Sequence, residues 1–86
     1  MSSDTIRGWY VYIVKCSDHS LYTGISTDPD KRLVVHNSGT GARYTRSRRP
    51  VKLVYTERAE NRSDALRREA QIKRMTAAGK RELIVQ

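Results

Sequence analysis

Two short segments rich in β-branched and aromatic residues, joined by a polar turn, constrain this chain most. Residues 9–14 (WYVYIV) have the composition of a strand, and residues 21–25 have the same character. Residues 17–20 (SDHS) lie between them and are typical of a turn. An antiparallel hairpin near the start of a chain excludes a doubly wound parallel sheet, in which strands and helices alternate from the beginning.

A helix is predicted directly after the hairpin. Asp28 is a good N-cap, and Pro29 follows at the first helical position, where its missing N–H has no cost. The helix should run to about Asn37 and end in the segment 38–41, which contains two glycines. A basic loop closed by Pro50 follows, so no further helix is expected before the next strand.

The second half of the chain adds one strand and two helices to the predicted fold. Residues 51–55 (VKLVY) form the third predicted strand. Asn61 or Ser63 caps a second helix that reaches about Met75, and Thr76 begins a short third one. The predicted order ββαβαα identifies the α+β class.

A chain of 86 residues has room for one domain, predicted at residues 9–84 behind an N-terminal tail at residues 1–8. No stretch approaches the ~18 apolar residues that a membrane span requires, so no membrane partner is expected. Cys16 is the single cysteine, which excludes an internal disulfide and a multi-cysteine zinc site. A reducing, cytoplasmic location is therefore expected.

Charge is distributed unevenly along the chain. Seventeen Lys and Arg residues face nine acids, for a net charge of +8, and 12 of the 17 are Arg. Residues 1–40 hold four of the bases and four of the acids, so the whole excess lies in residues 41–86. Because guanidinium groups bind phosphate in a bidentate fork, this pattern favours a nucleic acid partner over a merely soluble basic face.

Several common chemistries are excluded by missing motifs. The sequence contains neither a P-loop nor a dinucleotide-binding fingerprint, since Gly39 and Gly41 follow a helix rather than a strand. Cys16 with His19 or His36 could form a thiol nucleophile, but a lone small residue late in a strand is more typical of packing. Two histidines and one cysteine make a transition-metal site improbable.

The second predicted helix places an acid among apolar residues. On a helical projection Glu69 falls in the middle of an arc formed by Ala65, Leu66, Ala70 and Ile72. A carboxylate that faces the core costs free energy unless a positive group meets it. That group could be Lys73, one turn later on the same helix, or a divalent cation at the edge of the sheet.

Other polar groups converge on the same surface. Arg32 and His36 are stacked one turn apart on the first helix, and if Leu33 faces the sheet, both lie at the sheet margin. Tyr12 and Tyr22 share one face of the hairpin only in an even register, for instance with Tyr12 opposite Gly24. Gly24 would then leave open space beside both phenols.

These residues carry a resemblance to the GIY-YIG nuclease superfamily. Tyr10-Val11-Tyr12 and, ten residues after Tyr12, Tyr22-Thr23-Gly24 resemble its paired motif, although Tyr10, Val11 and Thr23 depart from the named consensus. Arg32 and His36 stand at the expected offsets, and the segment 65–69 resembles the one that carries the metal-binding glutamate. The resemblance is greatest to the small stand-alone bacterial branch called YhbQ-like.

The resemblance implies a three-stranded antiparallel sheet flanked by helices and a metal-dependent hydrolysis of phosphodiesters. The implied catalytic residues are Tyr12, Tyr22, Arg32, His36 and Glu69. Glu69 would hold one divalent ion, Mg²⁺ or Mn²⁺, and Arg32 would stabilise the charge of the transition state. Tyr22, assisted by Tyr12, would take a proton from the attacking water, with His36 as the rival base.

The expected substrate is DNA, single-stranded or branched, in DNA processing, repair or uptake. In the basic segment, Arg43, Arg46, Arg48 and Arg49 should follow the DNA backbone, and Tyr44 should stack on an unpaired base. No appended recognition module is expected, so substrate choice should come from the basic loop, from a protein partner or from DNA shape. A non-catalytic nucleic-acid-binding module and an adaptor for an acidic protein remain as alternatives.

Overall fold

A computed structural model describes residues 8–85, so all but Gly8 of the predicted tail lies outside the described residues. Three antiparallel strands form one sheet in the order β2-β1-β3. The elements are β1 (Trp9–Lys15), β2 (Leu21–Ser26), α1 (Pro29–Ser38), α2 (Arg43–Arg46), β3 (Lys52–Ala59), α3 (Arg62–Lys73) and α4 (Ala77–Ile84). The predicted α+β class and the three-stranded sheet flanked by helices are confirmed.

Helix boundaries follow the capping residues of the sequence. Asp28 accepts a hydrogen bond from the Lys31 amide, and Gly39 ends α1 with a left-handed φ of 89°. Of the two candidate caps for α3, Asn61 is the one that forms, because its side chain accepts from the Asp64 amide. Thr76 caps α4 through the Gly79 amide, as predicted.

Two elements differ from the sequence prediction. β3 continues past residue 55 to Ala59 because its last residues pair with the first half of β1, where Ala59 lies opposite Trp9. These residues alternate between exposed and half-buried, which is the pattern of an edge strand rather than of an apolar run. The supposed basic loop contains the short helix α2, so the observed order is ββααβαα.

Alternation along β1 divides the core between the two faces of the sheet. α3 and α4 cover one face, whose buried residues are Val11, Ile13, Ala65, Ile72 and Leu83. The opposite face of the sheet lies against α1. Its buried residues are Tyr12, Val14, Cys16 and Val51, and Leu33 of α1 packs against them. A tyrosine with 2% of its surface exposed needs a partner for its hydroxyl, and that partner defines the candidate site.

No helix within residues 8–85 has the length and the apolar character needed to cross a bilayer.

Candidate active site

The hairpin register brings the two tyrosines of the site to one face of the sheet. Tyr12 lies opposite Gly24, so Tyr12 and Tyr22 project toward α1, as the even register predicts. The space beside Gly24 is nevertheless not open, because the ring of Tyr12 fills it. A Cβ atom at Gly24 would lie 2.6 Å from the Tyr12 hydroxyl, so a side chain there would displace the phenol.

His36 lies deeper than the sequence predicted. Instead of a place at the sheet margin, it occupies a fully buried position on α1 beneath Tyr12. Its Nε2 is 2.8 Å from the Tyr12 hydroxyl, and its Nδ1 is 2.9 Å from the hydroxyl of Thr45. Gly41 passes so close that a Cβ there would meet Nδ1 at 2.5 Å. His36 is therefore enclosed on both sides and has no open path to solvent.

Burial keeps both members of the Tyr12–His36 pair neutral near pH 7. Burial raises the pKa of Tyr12, with smaller contributions in the same direction from Tyr22 and Glu69, while Arg32 acts to lower it. Burial also lowers the pKa of His36, and the charge of Arg32 adds to this effect. The pair is thus a phenol beside a neutral imidazole, which is a proton donor beside a proton acceptor.

Arg32 and Glu69 join this pair through their charges. Arg32 lies one turn before His36 on α1, is partly buried, and interacts with the Tyr12 hydroxyl. Glu69 acts on the same phenol from α3, and its side chain is 17% exposed. Tyr22 contacts the His36 ring edge-on, with centroids 5.5 Å apart. Tyr12 therefore contacts His36 directly, and the charges of Arg32 and Glu69 act on the same phenol.

The apolar arc of α3 is narrower than the sequence predicted. Ala65 and Ile72 are buried, whereas Leu66 is 40% exposed and Ala70 faces solvent. Glu69 accordingly lies at the margin of the buried arc rather than in its middle. Its carboxylate is 3.3 Å from Lys73 Nζ, so the intrahelical ion pair that the sequence left as an alternative is present.

The side chains present fit a divalent ion shared with a substrate. Within residues 8–85 no group of three or more His, Cys, Asp or Glu side chains could enclose a metal. Mg²⁺ is commonly held by one or two carboxylates, with water and substrate phosphate completing its shell. A single partly exposed carboxylate whose charge acts on the Tyr12 phenol, as that of Glu69 does, suits that mode of binding and not a cage made of protein alone.

A stack of side chains joins the basic segment to the site. The ring of Tyr44 stacks on Tyr22, with centroids 6.0 Å apart and an angle of 20° between planes. The guanidinium of Arg48 lies 3.9 Å from the Tyr44 centroid, forms an ion pair with Asp18 at 3.1 Å, and donates to the Tyr44 carbonyl. Arg48 thus connects the hairpin turn to Tyr44, and through Tyr44 to Tyr22.

The remaining arginines of the basic segment differ in how strongly they are held. Arg49 donates to the carbonyl of Arg46 and to that of Asn37 at the end of α1, where a cation is favourable. Arg46 donates a long bond of 3.3 Å to the Gly41 carbonyl and remains exposed, as does Arg43. Arg43 and Arg46 are therefore exposed and less firmly held by hydrogen bonds than Arg48 and Arg49.

Three residues of the site were not predicted from the sequence: Gly41, Thr45 and Asp18. Gly41 and Thr45 belong to a segment that was interpreted only as a DNA-binding loop, and both contact His36. Asp18 was interpreted as a turn residue only, whereas it also anchors Arg48. These contacts are tertiary, and no local spacing indicates them. The sequence contains one indication of the contacts with His36: Gly41, which is small, and Thr45, which is β-branched, lie in a basic segment that is otherwise mostly exposed.

The depressed pKa of His36 predicts a pH-dependent stability. The unfolded chain binds a proton near the ordinary value of about 6.5, whereas the folded chain binds it only at lower pH. The contribution of His36 is therefore present above about pH 6.5 and is lost as the pH falls toward the folded pKa, at up to ~1.4 kcal/mol per pH unit. Urea midpoints measured from pH 7.5 to 5 should fall, and His36→Gln should remove this slope. His19→Gln, at an exposed turn position, should keep it; equal slopes in wild type and His36→Gln would contradict the assignment.

Comparisons with known proteins agree with this geometry. The GIY-YIG catalytic domain family matches residues 8–82. A UPF0213 protein of Syntrophus aciditrophicus is 58% identical over 78 residues, which is 90% of each chain. A UPF0213 protein of Staphylococcus saprophyticus is 53% identical over 75 residues, 87% of this chain and 92% of that one.

Two solved structures have the same fold. The solution NMR structure of a UPF0213 protein from Bacillus halodurans superposes with a TM-score of 0.58 at 42% identity, over 91% of this chain and 83% of that one. The solution NMR structure of an E. faecalis protein gives a TM-score of 0.61 at 43% identity, over 90% of this chain and 82% of that one. With these relatives and a family match over most of its length, the chain belongs to the GIY-YIG family, a nuclease superfamily, and to its UPF0213 branch.

Proposed function

We propose that this protein is a divalent-metal-dependent endonuclease that hydrolyses phosphodiester bonds in DNA. The observation that carries the proposal is the buried Tyr12–His36 hydrogen bond, with Tyr22 against the His36 ring and with the charges of Arg32 and Glu69 acting on the same phenol. Hydrolysis of a phosphodiester needs a proton acceptor for water, a cation for the transition state and stabilisation of the leaving oxygen. These side chains supply the first two directly and a ligand for the third.

The tyrosine pair and His36 form the route for the proton. Tyr22, on the same sheet face as Tyr12, would take a proton from the attacking water and pass its own proton to Tyr12, and the proton of Tyr12 would pass to His36 Nε2 across 2.8 Å. The relay produces hydroxide at phosphorus and an imidazolium, so charge and atoms balance. This role replaces direct attack on water by His36, because His36 is buried behind Tyr12.

Arg32 and Glu69 would stabilise the negative charge that develops during the reaction, Arg32 directly and Glu69 through a metal ion. The guanidinium of Arg32 stabilises the additional charge on the phosphoryl oxygens in the transition state. Glu69 would hold the Mg²⁺ or Mn²⁺ ion, which when bound stabilises the departing oxygen. Lys73 would give up its ion pair with Glu69, which costs little because Lys73 is 53% exposed.

The substrate is proposed to be single-stranded or branched DNA, with processing, repair or uptake as the setting. Support comes from the net charge of +8 and from Arg43 and Arg46, exposed beside the stack that ends at Tyr22. Stacking of Tyr44 on an unpaired base would require Arg48 to leave the ring face it covers. The one cysteine, Cys16, is buried and free, which suits a reducing compartment such as the cytoplasm.

Binding and chemistry should separate in a double variant of the basic segment. Changing Arg43 and Arg46 to Ala should weaken DNA binding and flatten log affinity against log salt, by about 0.9 per lost contact on duplex and about 0.7 on single strands. The cleavage rate at saturating DNA should stay near that of wild type. Fluorescence anisotropy at several salt concentrations, with single-turnover kinetics, measures both quantities.

The matched control changes Arg67 and Arg74 to Ala, which removes the same charge from the exposed side of α3. This control should keep the wild-type slope. An equal change of slope in both double variants would mean that only overall charge matters. A lost rate at saturation with intact binding would place Arg43 and Arg46 in the catalytic machinery instead.

A specific observation favours one other function, a nucleic-acid-binding module without turnover. The ion pair with Lys73 compensates the charge of Glu69 without any metal, so the half-buried carboxylate alone does not require catalysis. The Tyr12–His36 hydrogen bond does not separate the two functions, because a buried phenol and a buried imidazole need partners in either case.

One assay decides between the two functions. Purified protein is incubated with single-stranded, nicked and branched DNA in Mg²⁺, in Mn²⁺ or with chelator, and the products are resolved on a denaturing gel. Cleavage that depends on the metal and is absent from a Glu69→Gln preparation purified in parallel supports the nuclease. Binding of DNA without cleavage under all conditions would overturn it and leave the binding module.

A further inference from the structure

The hydroxyl of Thr45 forms a hydrogen bond with His36 that the proposed mechanism does not use. Thr45 is fully buried in α2, although it lies in the most basic segment of the chain. Its Oγ1 is 2.9 Å from His36 Nδ1 and also 2.9 Å from the carbonyl oxygen of Ala42. A buried hydroxyl that lies between a ring nitrogen and a carbonyl oxygen can form hydrogen bonds with both in only one arrangement of protons.

The carbonyl of Ala42 determines that arrangement. A carbonyl oxygen can only accept, so the Thr45 hydroxyl donates to it and offers its own lone pair to His36. His36 Nδ1 must then carry the proton. In a neutral imidazole Nε2 is consequently the acceptor, and Tyr12 donates to it across 2.8 Å.

Arg32 favours the same direction from the other end of the chain of hydrogen bonds. The positive charge of Arg32 acts on the Tyr12 phenol, and a guanidinium has donors and no acceptor, so a hydrogen bond between them would use a lone pair of the phenol oxygen. The proton of the phenol points to His36, which leaves its lone pairs toward Arg32. The order of protons is fixed by the Ala42 carbonyl, which can only accept.

We propose that Thr45 is a positioning residue, whose hydroxyl holds His36 in the tautomer protonated on Nδ1 and so leaves Nε2 able to take the proton of Tyr12. The inference rests on the proposed nuclease function for its consequence, but the tautomer is a property of the resting protein. In the step itself the Tyr12 O–H bond breaks, the Nε2–H bond forms, and the Nδ1 proton stays on the ring, donated to Thr45. In the opposite tautomer Nε2 already carries a proton, so it cannot accept the proton of Tyr12 and the relay lacks a final acceptor.

α2 and Gly41 explain how Thr45 is held for this role. Ala42 is the N-cap of α2, and its carbonyl also accepts from the Thr45 and Arg46 amides, so the short helix presents carbonyl and hydroxyl together. Gly41 lets this backbone pass against the imidazole, where a side chain would collide with Nδ1. The one element missed by the sequence prediction is thus the element that carries Thr45.

The first test measures the tautomer by NMR without DNA. Imidazole ¹⁵N shifts are recorded near pH 7.5 on labelled protein, with the His36 signals assigned by their loss in His36→Gln. We expect wild type to be protonated on Nδ1, Thr45→Ser to match it, and Thr45→Val to lose this preference. Wild-type protonation on Nε2, or an unchanged tautomer in Thr45→Val, would overturn the proposal. The wild-type measurement stands even if Thr45→Val fails to fold.

The second test measures single-turnover cleavage at saturating DNA. Thr45→Val should lower the rate at least about 10-fold with unchanged DNA affinity, and Thr45→Ser should restore it. For comparison, a general acid–base group contributes ~10²-fold or more to the rate. A changed tautomer with an unchanged rate would overturn the positioning role. If wild type cleaves nothing, the proposed function fails, while the NMR result still decides whether Thr45 controls His36.

Discussion

The Glu69→Gln variant is expected to lose DNA cleavage completely while it binds DNA almost as wild type does. The amide keeps the shape of the carboxylate and its place beside Tyr12 but lacks the charge that a hard divalent ion requires. The loss should be the largest of any single substitution in this chain. It is measured by single-turnover cleavage in Mg²⁺ and by anisotropy titrations with chelator, in which the variant and wild type bind without cutting.

Lys73→Gln is the matched control, because it breaks the same ion pair from the other side. This variant should keep most of the cleavage rate, since Lys73 is 53% exposed and solvent weakens its attraction for Glu69. If both variants unfold, the pair is structural and the metal role of Glu69 is unsupported. If Glu69→Gln cuts DNA at the wild-type rate, the assignment of Glu69 as a metal ligand is wrong.

The second large effect is expected at Arg32. Arg32→Lys keeps the positive charge but loses the planar fork that binds two phosphoryl oxygens at once, so the rate at saturating DNA should fall by at least ~10²-fold. DNA affinity should change little, because the groups proposed to bind the backbone lie in the basic segment. Single-turnover kinetics and anisotropy measure the two effects separately.

Arg43→Lys serves as the control for this change, since Arg43 is exposed and lies outside the group around Tyr12. It should cut DNA at close to the wild-type rate. A rate near wild type in Arg32→Lys would show that a point charge is enough beside Tyr12 and that the fork has no role. A fall in affinity equal to the fall in rate would make Arg32 a binding residue.

Local signals in the sequence were sufficient for most of the fold. The Asp28–Pro29 start, the Gly39 end and the caps at Asn61 and Thr76 each act within one helical turn, and each is present in the structure. The end of β3 was missed because its last residues are held by pairing with β1, which lies more than 40 residues earlier. α2 was missed because four residues in a basic segment carry no apolar periodicity.

The candidate site was predicted less completely than the fold. Spacing and family resemblance brought Tyr12, Tyr22, Arg32, His36 and Glu69 to one surface, and the structure places them together. Depth could not be predicted, because the burial of His36 depends on how closely Gly41 and α2 approach α1. The partners of Arg48 were equally hidden, since its ion pair with Asp18 joins residues 30 positions apart.

The two close approaches at Gly24 and Gly41 bear on how this lineage can vary. Neither glycine has a group that reacts, yet any side chain at either would press on the Tyr12 hydroxyl or on the His36 ring. Selection for turnover should therefore forbid change at both positions as strictly as at the tyrosine and the histidine. In a relative that no longer cleaves DNA, the two glycines, the tyrosine and the histidine would all become free to change. Substitution of Gly24 and Gly41 would then identify relatives that no longer cleave DNA.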